Sequence, residues 1–318
     1  MPLSDNGPLI VLTGPTGAGK SAIAARAAAR IRAEVICADS RQLFKGLPVC
    51  TAQPDEDEMR MAPHHLYAIL DPAFPVSAGA YREIALPVID AIRARGSLPM
   101  VTGGTGLYIR ALLHTISLAP PVSPGILEQL CRRLQHEGCL ALHRELARID
   151  PDASFRIKPQ DGYRITRALA VWQESGRRMS EWRKDLPSPF VRLAHIAIGL
   201  PRSVLHERIN ERCRRMFALG VLDEARTLRS CGLSPDLPSL KAIGYRALCA
   251  VIDGTMTESE ALALMQRDSR RYAKRQMTWL RAQPGIVWVD ATDREAAVDR
   301  VCELASQLMD TREHANAI

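Results

Sequence analysis

The sequence predicts an α/β chain, with a parallel sheet flanked by helices and a smaller all-helical domain inserted into it. Three observations carry this reading. Apolar runs at 8–13, 34–38 and 98–101 alternate with helical stretches, the pattern of parallel β-α-β units. The first run opens onto Gly14-Pro-Thr-Gly-Ala-Gly-Lys20-Ser21, a complete G-x-x-x-x-G-K-[ST] motif between a strand and a helix, as in P-loop NTPase-like cores. Beyond about residue 124 the chain turns into long arginine-rich helical stretches.

Each element has a local reason. Pro8–Thr13 is a short apolar strand ending in a glycine-rich turn. The next stretch, Ser21–Arg32, is rich in alanine and arginine and free of Gly and Pro, which favours a helix. Glu34–Ala38 gives a second strand and closes the first β-loop-α-β unit. Leu98–Val101 is a third, running into Gly103-Gly104-Thr105-Gly106. In a parallel sheet the ligand site lies at the C-terminal strand ends, and all three ends carry unusual residues. Helices are expected over Ile126–Leu146, Gly162–Gly176 and Ser203–Leu219, with Gly220 and Gly232 as stops. Asp185–Phe190, with two prolines, reads as a linker, and Val191–Gly199 as an apolar run returning to the sheet. The expected division is a core over 1–120, a helical insertion over 121–190, and a return to the core with C-terminal helices over 191–318.

Composition narrows the class. The chain has 318 residues, 47% hydrophobic and 24% charged, enough for a globular core and unlike a disordered chain. Its beginning has no basic stretch followed by an apolar run, and no apolar run approaches the roughly 18 residues of a membrane span. A cytoplasmic protein without a membrane partner is expected. The eight cysteines are scattered, with no CxxC and no Cys/His cluster, which points to reduced thiols rather than disulfides or zinc. His64 and His65 lack a Cys or Glu at ligand spacing and are read as structural. Net charge is +7, with 11 Lys+Arg against 10 Asp+Glu in residues 1–120 and 31 against 25 beyond. That excess suits a polyanionic partner, and a solvated mixed-charge helical surface would account for it equally.

The motifs carry the chemistry. Glycines in the first turn let successive N–H groups face phosphate oxygens, Lys20 adds a point charge, and the following helix adds its positive end. Gly14, Pro15, Thr16, Gly17, Ala18, Gly19, Lys20 and Ser21 are therefore the phosphate-binding candidates, with the Ser21 hydroxyl as a ligand to Mg2+. An ATPase or GTPase also wants an acid after a later strand, and the 98–101 strand ends in Thr-Gly-Gly-Thr-Gly without a carboxylate. The acid stands instead in Ala38-Asp39-Ser40-Arg41-Gln42. Asp39 is placed to accept a proton from an acceptor substrate, or it is a turn cap.

With GPTGAGKS, four further blocks give a resemblance: ADSRQLFKGLPVCTAQP at 38–54, APHHLYAILDP at 62–72, GGTGLYIRAL at 103–112 and DPDASFRIKPQDGYRITRALAVWQESG at 150–176. It continues through LHERINERCRRMFALG (205–220), KAIGYRAL (241–248) and YAKRQMTWLR (272–281). The chain resembles the bacterial tRNA dimethylallyltransferases, the tRNA isopentenyltransferase or IPP transferase family, over about nine tenths of its length. The resemblance implies transfer of a dimethylallyl group from dimethylallyl diphosphate to N6 of an adenine beside the anticodon, position 37, in tRNAs reading codons that begin with U. It reassigns the loop to the diphosphate of the donor, where Lys20 stabilises the leaving group. Asp39 becomes the base, Thr105 a residue near the bridging oxygen of the diphosphate, and Arg212 a phosphate clamp. A turn residue at 105 and a solvated arginine at 212 are the plainer alternatives. The expected partners are the tRNA anticodon stem-loop and dimethylallyl diphosphate, with Mg2+ as cofactor and a monomeric chain.

For RNA, the resemblance implies contacts from Asp39, Ser40, Arg41, Gln42 and Thr105. It adds Tyr163, Arg164, Ile165, Thr166 and Arg167, the block Lys241, Ala242, Ile243, Gly244, Tyr245 and Arg246, and then Lys274, Arg275 and Arg281. Trp279 is a candidate stacking ring. For these blocks a basic helix face is the plainer alternative. Two positions depart from the family's common wording: Phe44 stands where tyrosine is usual, and Gln53 where lysine is common. A small-molecule kinase leaves the blocks from 150 to 281 unexplained. A transferase acting on free nucleotides has no use for so large a basic helical section, and a passive RNA binder has none for Asp39 beside a phosphate loop.

Overall fold

The computed structural model describes residues 7–74, 76–114, 119–182, 190, 192–235 and 237–310. In chain order the elements begin with β1 (Leu9–Thr13), α1 (Lys20–Ile31), β2 (Ala33–Cys37), α2 (Pro48–Thr51), α3 (Glu56–Met61), β3 (His64–His65), α4 (Ala78–Ala94), β4 (Leu98–Gly103) and α5 (Gly106–Leu113). Three helices follow: α6 (Pro124–Ile149), α7 (Pro151–Arg156) and α8 (Gly162–Ser175). The chain then runs through β5 (Leu193–Gly199), α9 (Arg202–Ala218), α10 (Val221–Ser230), α11 (Tyr245–Ile252), α12 (Glu258–Arg281), β6 (Val287–Asp290) and α13 (Arg294–Asp310).

The six strands form one sheet in the order β3-β2-β4-β1-β5-β6, and every pairing is parallel. Each residue of β1, β2 and β4 is buried, as strands covered on both faces require. Removing Leu9, Ile10 or Leu12 from water contributes about 1.5–3 kcal/mol apiece. The return strand expected over 191–199 is β5, and it pairs with β1 from Leu9↔Leu193 to Thr13↔Ala197. The edge strands β3 and β6 had no clear signal. β3 has two residues, and β6 leaves Val287 and Trp288 exposed, so neither shows a buried period.

The chain divides into two compact units, Met1–Leu113 with Pro189–Ile318, and His114–Ser188, against an expected insertion at 121–190. The expected linker over 185–190 lies outside the described residues except for Phe190. The helical unit has its own core of Leu130, Leu142, Leu146, Ile165 and Leu169. Its buried Asp150 accepts hydrogen bonds from Ala153 N at 3.0 Å and Ser180 N at 2.9 Å, so the charge is solvated by backbone. The helix expected over 126–146 is broken inside α6, where Gly138 takes φ 79° and ψ 165°.

Candidate functional site

Four segments meet at the C-terminal ends of the central strands. The first is the loop from Gly14 to Ser21, between β1 and α1. Gly19 caps α1 with φ 86° and ψ 21°, a left-handed conformation that glycine adopts without steric cost. No side chain caps that helix end, so its first N–H groups stay open toward an anion. Lys20 Nζ donates to Pro15 O at 2.9 Å, folding the ammonium over the loop. Burial brings its pKa down to about 8, opposed by the Asp39 carboxylate and assisted by the Arg212 charge.

The second segment follows β2. Asp39 Oδ1 accepts from Arg41 N at 2.9 Å, which is the turn-cap geometry. That bond engages one carboxylate oxygen. The charge still acts on Lys20, Arg212 and Tyr272, so cap and site acid coexist in one residue. Gln42 Nε2 is committed to Thr51 O at 3.0 Å and Ala52 O at 2.6 Å. Arg41 reaches Ser239 O at 3.5 Å.

The third segment, 103–106, touches the second directly. A Cβ on Gly103 would lie 2.3 Å from the Ala38 carbonyl carbon, so only glycine permits this approach. Thr105 N donates to Ala38 O at 3.3 Å, and Thr105 Oγ1 accepts from Ser40 N at 2.9 Å and donates to Ser40 Oγ at 3.3 Å. Thr105 is therefore more than a turn residue, because its hydroxyl holds the backbone beside Asp39.

Helices α9 and α12 complete the site. Arg212, on α9, has its Nε buried without a hydrogen-bond partner among the described residues. Burial lowers its pKa, partly offset by Cys213 and Asp39. A guanidinium held this way beside Lys20 is suited to an anion that brings its own acceptors. Two residues of α12 were missed from sequence as site residues. Gln276, 6% exposed, accepts from Thr16 N at 2.7 Å and donates to Gly104 O at 2.9 Å. Tyr272, one turn earlier, is pushed up to about 12 by burial and by Asp39, while a hydrogen bond with Thr105 works the other way. Their spacing puts 272 and 276 on one helix face, but nothing in the sequence says that this face is buried. Trp279 packs against Gly106, where an added Cβ would meet its ring at 2.5 Å, so it is a wall of the core rather than a free stacking ring.

The RNA candidates divide by burial. Ile165, Thr166, Ala242 and Tyr245 are buried, and their side chains point into the core. A helix turns 100° per residue, so five consecutive residues cannot all face outward. Thr166 Oγ1 donates to Gly162 O at 2.9 Å. Arg167 Nη2 donates to Pro120 O at 3.0 Å, inside the helical unit. Tyr163, Arg164, Lys241, Arg246, Lys274, Arg275 and Arg281 are exposed. Ile243 and Gly244 are half-buried.

The departing positions have structural roles here. Phe44 is 3% exposed in the core, and Gln53 Nε2 donates to Gln42 O at 3.2 Å and Phe44 O at 3.0 Å. Glu224 accepts from Val49 N at 2.6 Å and Cys50 N at 2.9 Å. His65 Nε2 pairs with Glu34 Oε2 at 2.7 Å and His64 Nδ1 with Ala62 O at 2.7 Å, both in the sheet-edge framework. For a divalent ion, the described residues hold no cluster of three or more His, Cys, Asp or Glu. The Ser21 hydroxyl stands in the first turn of α1, and a single protein oxygen suits Mg2+, which keeps several waters and binds largely through substrate phosphates. No helix of the described residues is long and apolar enough to cross a membrane.

Comparisons with known proteins show the family. A family model described as IPP transferase matches residues 42–283. The tRNA dimethylallyltransferase of Geobacter sulfurreducens is 42% identical over 285 residues, covering 89% of this chain and 91% of its own. That of Syntrophobacter fumaroxidans is 39% identical over 308 residues, covering 96% and 90%. The crystal structure of the full-length tRNA isopentenylpyrophosphate transferase from Bacillus halodurans is 33% identical, with a TM-score of 0.73 over 98% of this chain and 99% of its own. A eukaryotic dimethylallyltransferase solved acting on tRNA shares the fold at 22% identity, with a TM-score of 0.82 over 96% of this chain and 80% of its own.

Proposed function

Because the chain belongs to the IPP transferase family, we propose that it is a tRNA dimethylallyltransferase. It moves the dimethylallyl group of dimethylallyl diphosphate onto N6 of an adenine in tRNA and releases diphosphate. The target is adenine 37, beside the anticodon, in tRNAs reading codons that begin with U. One arrangement supports the assignment: the bonds from Thr16 through Gln276 to Gly104, and from Ser40 to Thr105, bring the phosphate cradle and the Asp39 turn to the same end of the sheet.

The chemistry follows from that juxtaposition. Breaking the allylic C–O bond spreads positive charge over the prenyl group and leaves negative charge on diphosphate. The uncapped amides at the start of α1, the Lys20 ammonium and the Arg212 guanidinium stabilise that leaving group as its charge grows. When bound, Mg2+ would share the same charge, with Ser21 as its protein ligand. The exocyclic amine of adenine is a poor nucleophile because its lone pair is delocalised into the ring. Asp39 accepts its proton as the new C–N bond forms. The resemblance assigns Thr105 to the bridging oxygen of the diphosphate, a role in which its hydroxyl turns from Ser40 Oγ to the ligand while still accepting from Ser40 N. The base must leave its stack to reach this chemistry, and exposed Tyr163, Arg164, Lys241, Lys274, Arg275 and Arg281 supply phosphate and base contacts. The chain acts as a monomer in the cytoplasm.

The test is transfer of labelled dimethylallyl from its diphosphate to unmodified bulk tRNA with Mg2+, alongside AMP and ATP. Label in tRNA adenine and none in AMP is the expected result. Label in AMP would make the chain a free-nucleotide transferase. ATP consumption without label in either would overturn the assignment.

A further inference from the structure

Gln276 is an uncharged polar residue buried near the C-terminal end of a 24-residue helix. A buried amide is costly unless its donors and acceptor are met, and here the partners are backbone groups of two different catalytic loops. Its oxygen takes Thr16 N at 2.7 Å, and its nitrogen gives to Gly104 O at 2.9 Å. Thr16 belongs to the loop that cradles the donor's diphosphate. Gly104 precedes Thr105, which in turn holds Ser40 and the turn bearing Asp39. A continuous path of hydrogen bonds and intervening peptide links therefore runs from the phosphate cradle through Gln276 to the turn that bears Asp39. The fit is close: a Cβ on Gly104 would lie 2.2 Å from Gln276 Nε2.

Building on the transferase assignment, we infer that Gln276 is a positioning residue that sets the distance between the allylic carbon and the adenine amine. The reaction makes this distance consequential. Once the C–O bond to diphosphate breaks, the allylic cation is captured by whichever nucleophile is in line. Capture by the amine forms the C–N bond and passes a proton to Asp39. Capture by water forms a C–O bond to the water oxygen, releases a proton to solvent and yields dimethylallyl alcohol with diphosphate. A tie holding donor and acceptor loops in one register favours the first outcome. Its loss leaves each substrate bound but the two misaligned.

Gln276→Met keeps the length and volume and removes both hydrogen bonds. Gln276→Glu keeps an acceptor for Thr16 N and loses the donor to Gly104 O. The measurements are single-turnover prenylation of tRNA, dimethylallyl alcohol released per diphosphate formed, and the dissociation constants of dimethylallyl diphosphate and tRNA. Circular dichroism checks that each variant is folded. For Gln276→Met, transfer should fall about 10–100-fold, the scale of an ångström-sized misplacement. Both dissociation constants should stay within three-fold, and the alcohol fraction should rise several-fold. Gln276→Glu should lie between the variant and the unchanged chain in both rate and alcohol fraction. Rates and partition equal to those of the unchanged chain in folded Gln276→Met or Gln276→Glu would overturn the inference and leave the transferase assignment standing. A loss tracking only the unfolded fraction, with unaltered partition, would do the same. Absence of tRNA prenylation by the unchanged chain would overturn both.

Discussion

At the scale of single residues, the site rests on one acid and one base of unlike environment. Asp39 spends one oxygen on its own turn, and under the proposed function the other takes the proton of the adenine amine. Asp39→Ala should lower turnover by roughly 10²–10⁴, the worth of a general base, while tRNA still binds in a filter assay. A near-normal rate would remove Asp39 from the chemistry. Lys20 is different, because burial has brought its pKa down to about 8. The protonated form binds diphosphate, and binding raises the pKa by adding negative charge. Affinity for inorganic diphosphate should therefore be level below pH 8 and weaken as pH rises above it. Lys20→Arg should bind without that decline, since arginine keeps its proton. Both residues were legible in sequence, because a phosphate loop is defined by spacing and Asp39 stands at a strand end. Gln276 and Tyr272 were not. Their partners lie more than 160 residues away, and a polar residue in a polar helix gives no sign of being buried.

At the scale of elements, α12 shows how one helix serves two purposes. Tyr272, Gln276 and Leu280 lie on its inward face, and Lys274, Arg275 and Arg281 are exposed. Motif matching reported the block as a unit, whereas the helical period divides it. The same division separates Lys274 from Arg167. Arg167 is engaged with Pro120 within the helical unit, and Lys274 is exposed. Replacing Lys274 by alanine should reduce the slope of log affinity for tRNA against log salt by about 0.7–0.9, one phosphate's worth. Arg167→Ala should leave that slope unaltered and lower thermal stability instead. A reduced slope for Arg167→Ala would place its side chain on phosphate after all.

At the scale of the whole molecule, the parallel sheet was legible because β1, β2 and β4 are continuous apolar runs followed by turns. The edges were not, since β3 and β6 are too short and too exposed to show a period. One edge holds an electrostatic contribution to stability. Arg95 holds Glu34 at a pKa of about 2 against burial, with His65 and Ser97 assisting. A carboxylate depressed below its ordinary 4.5 stabilises the fold above that pH and loses the contribution as pH falls toward 2. Glu34→Gln should melt below the unchanged protein at pH 7, and the gap should narrow as pH falls from 4.5 toward 2. A gap constant with pH would mean the pair contributes through packing alone.

The segment between β2 and α3 is held at several points by side chains as well as by backbone pairing with residues 68–70. Gln42 and Gln53 reach its carbonyls, and Glu224 takes the Val49 and Cys50 amides. The consequence is thermodynamic. The conformational entropy of this segment is lost when the protein folds, so ordering it adds nothing to the cost of binding a ligand beside Asp39.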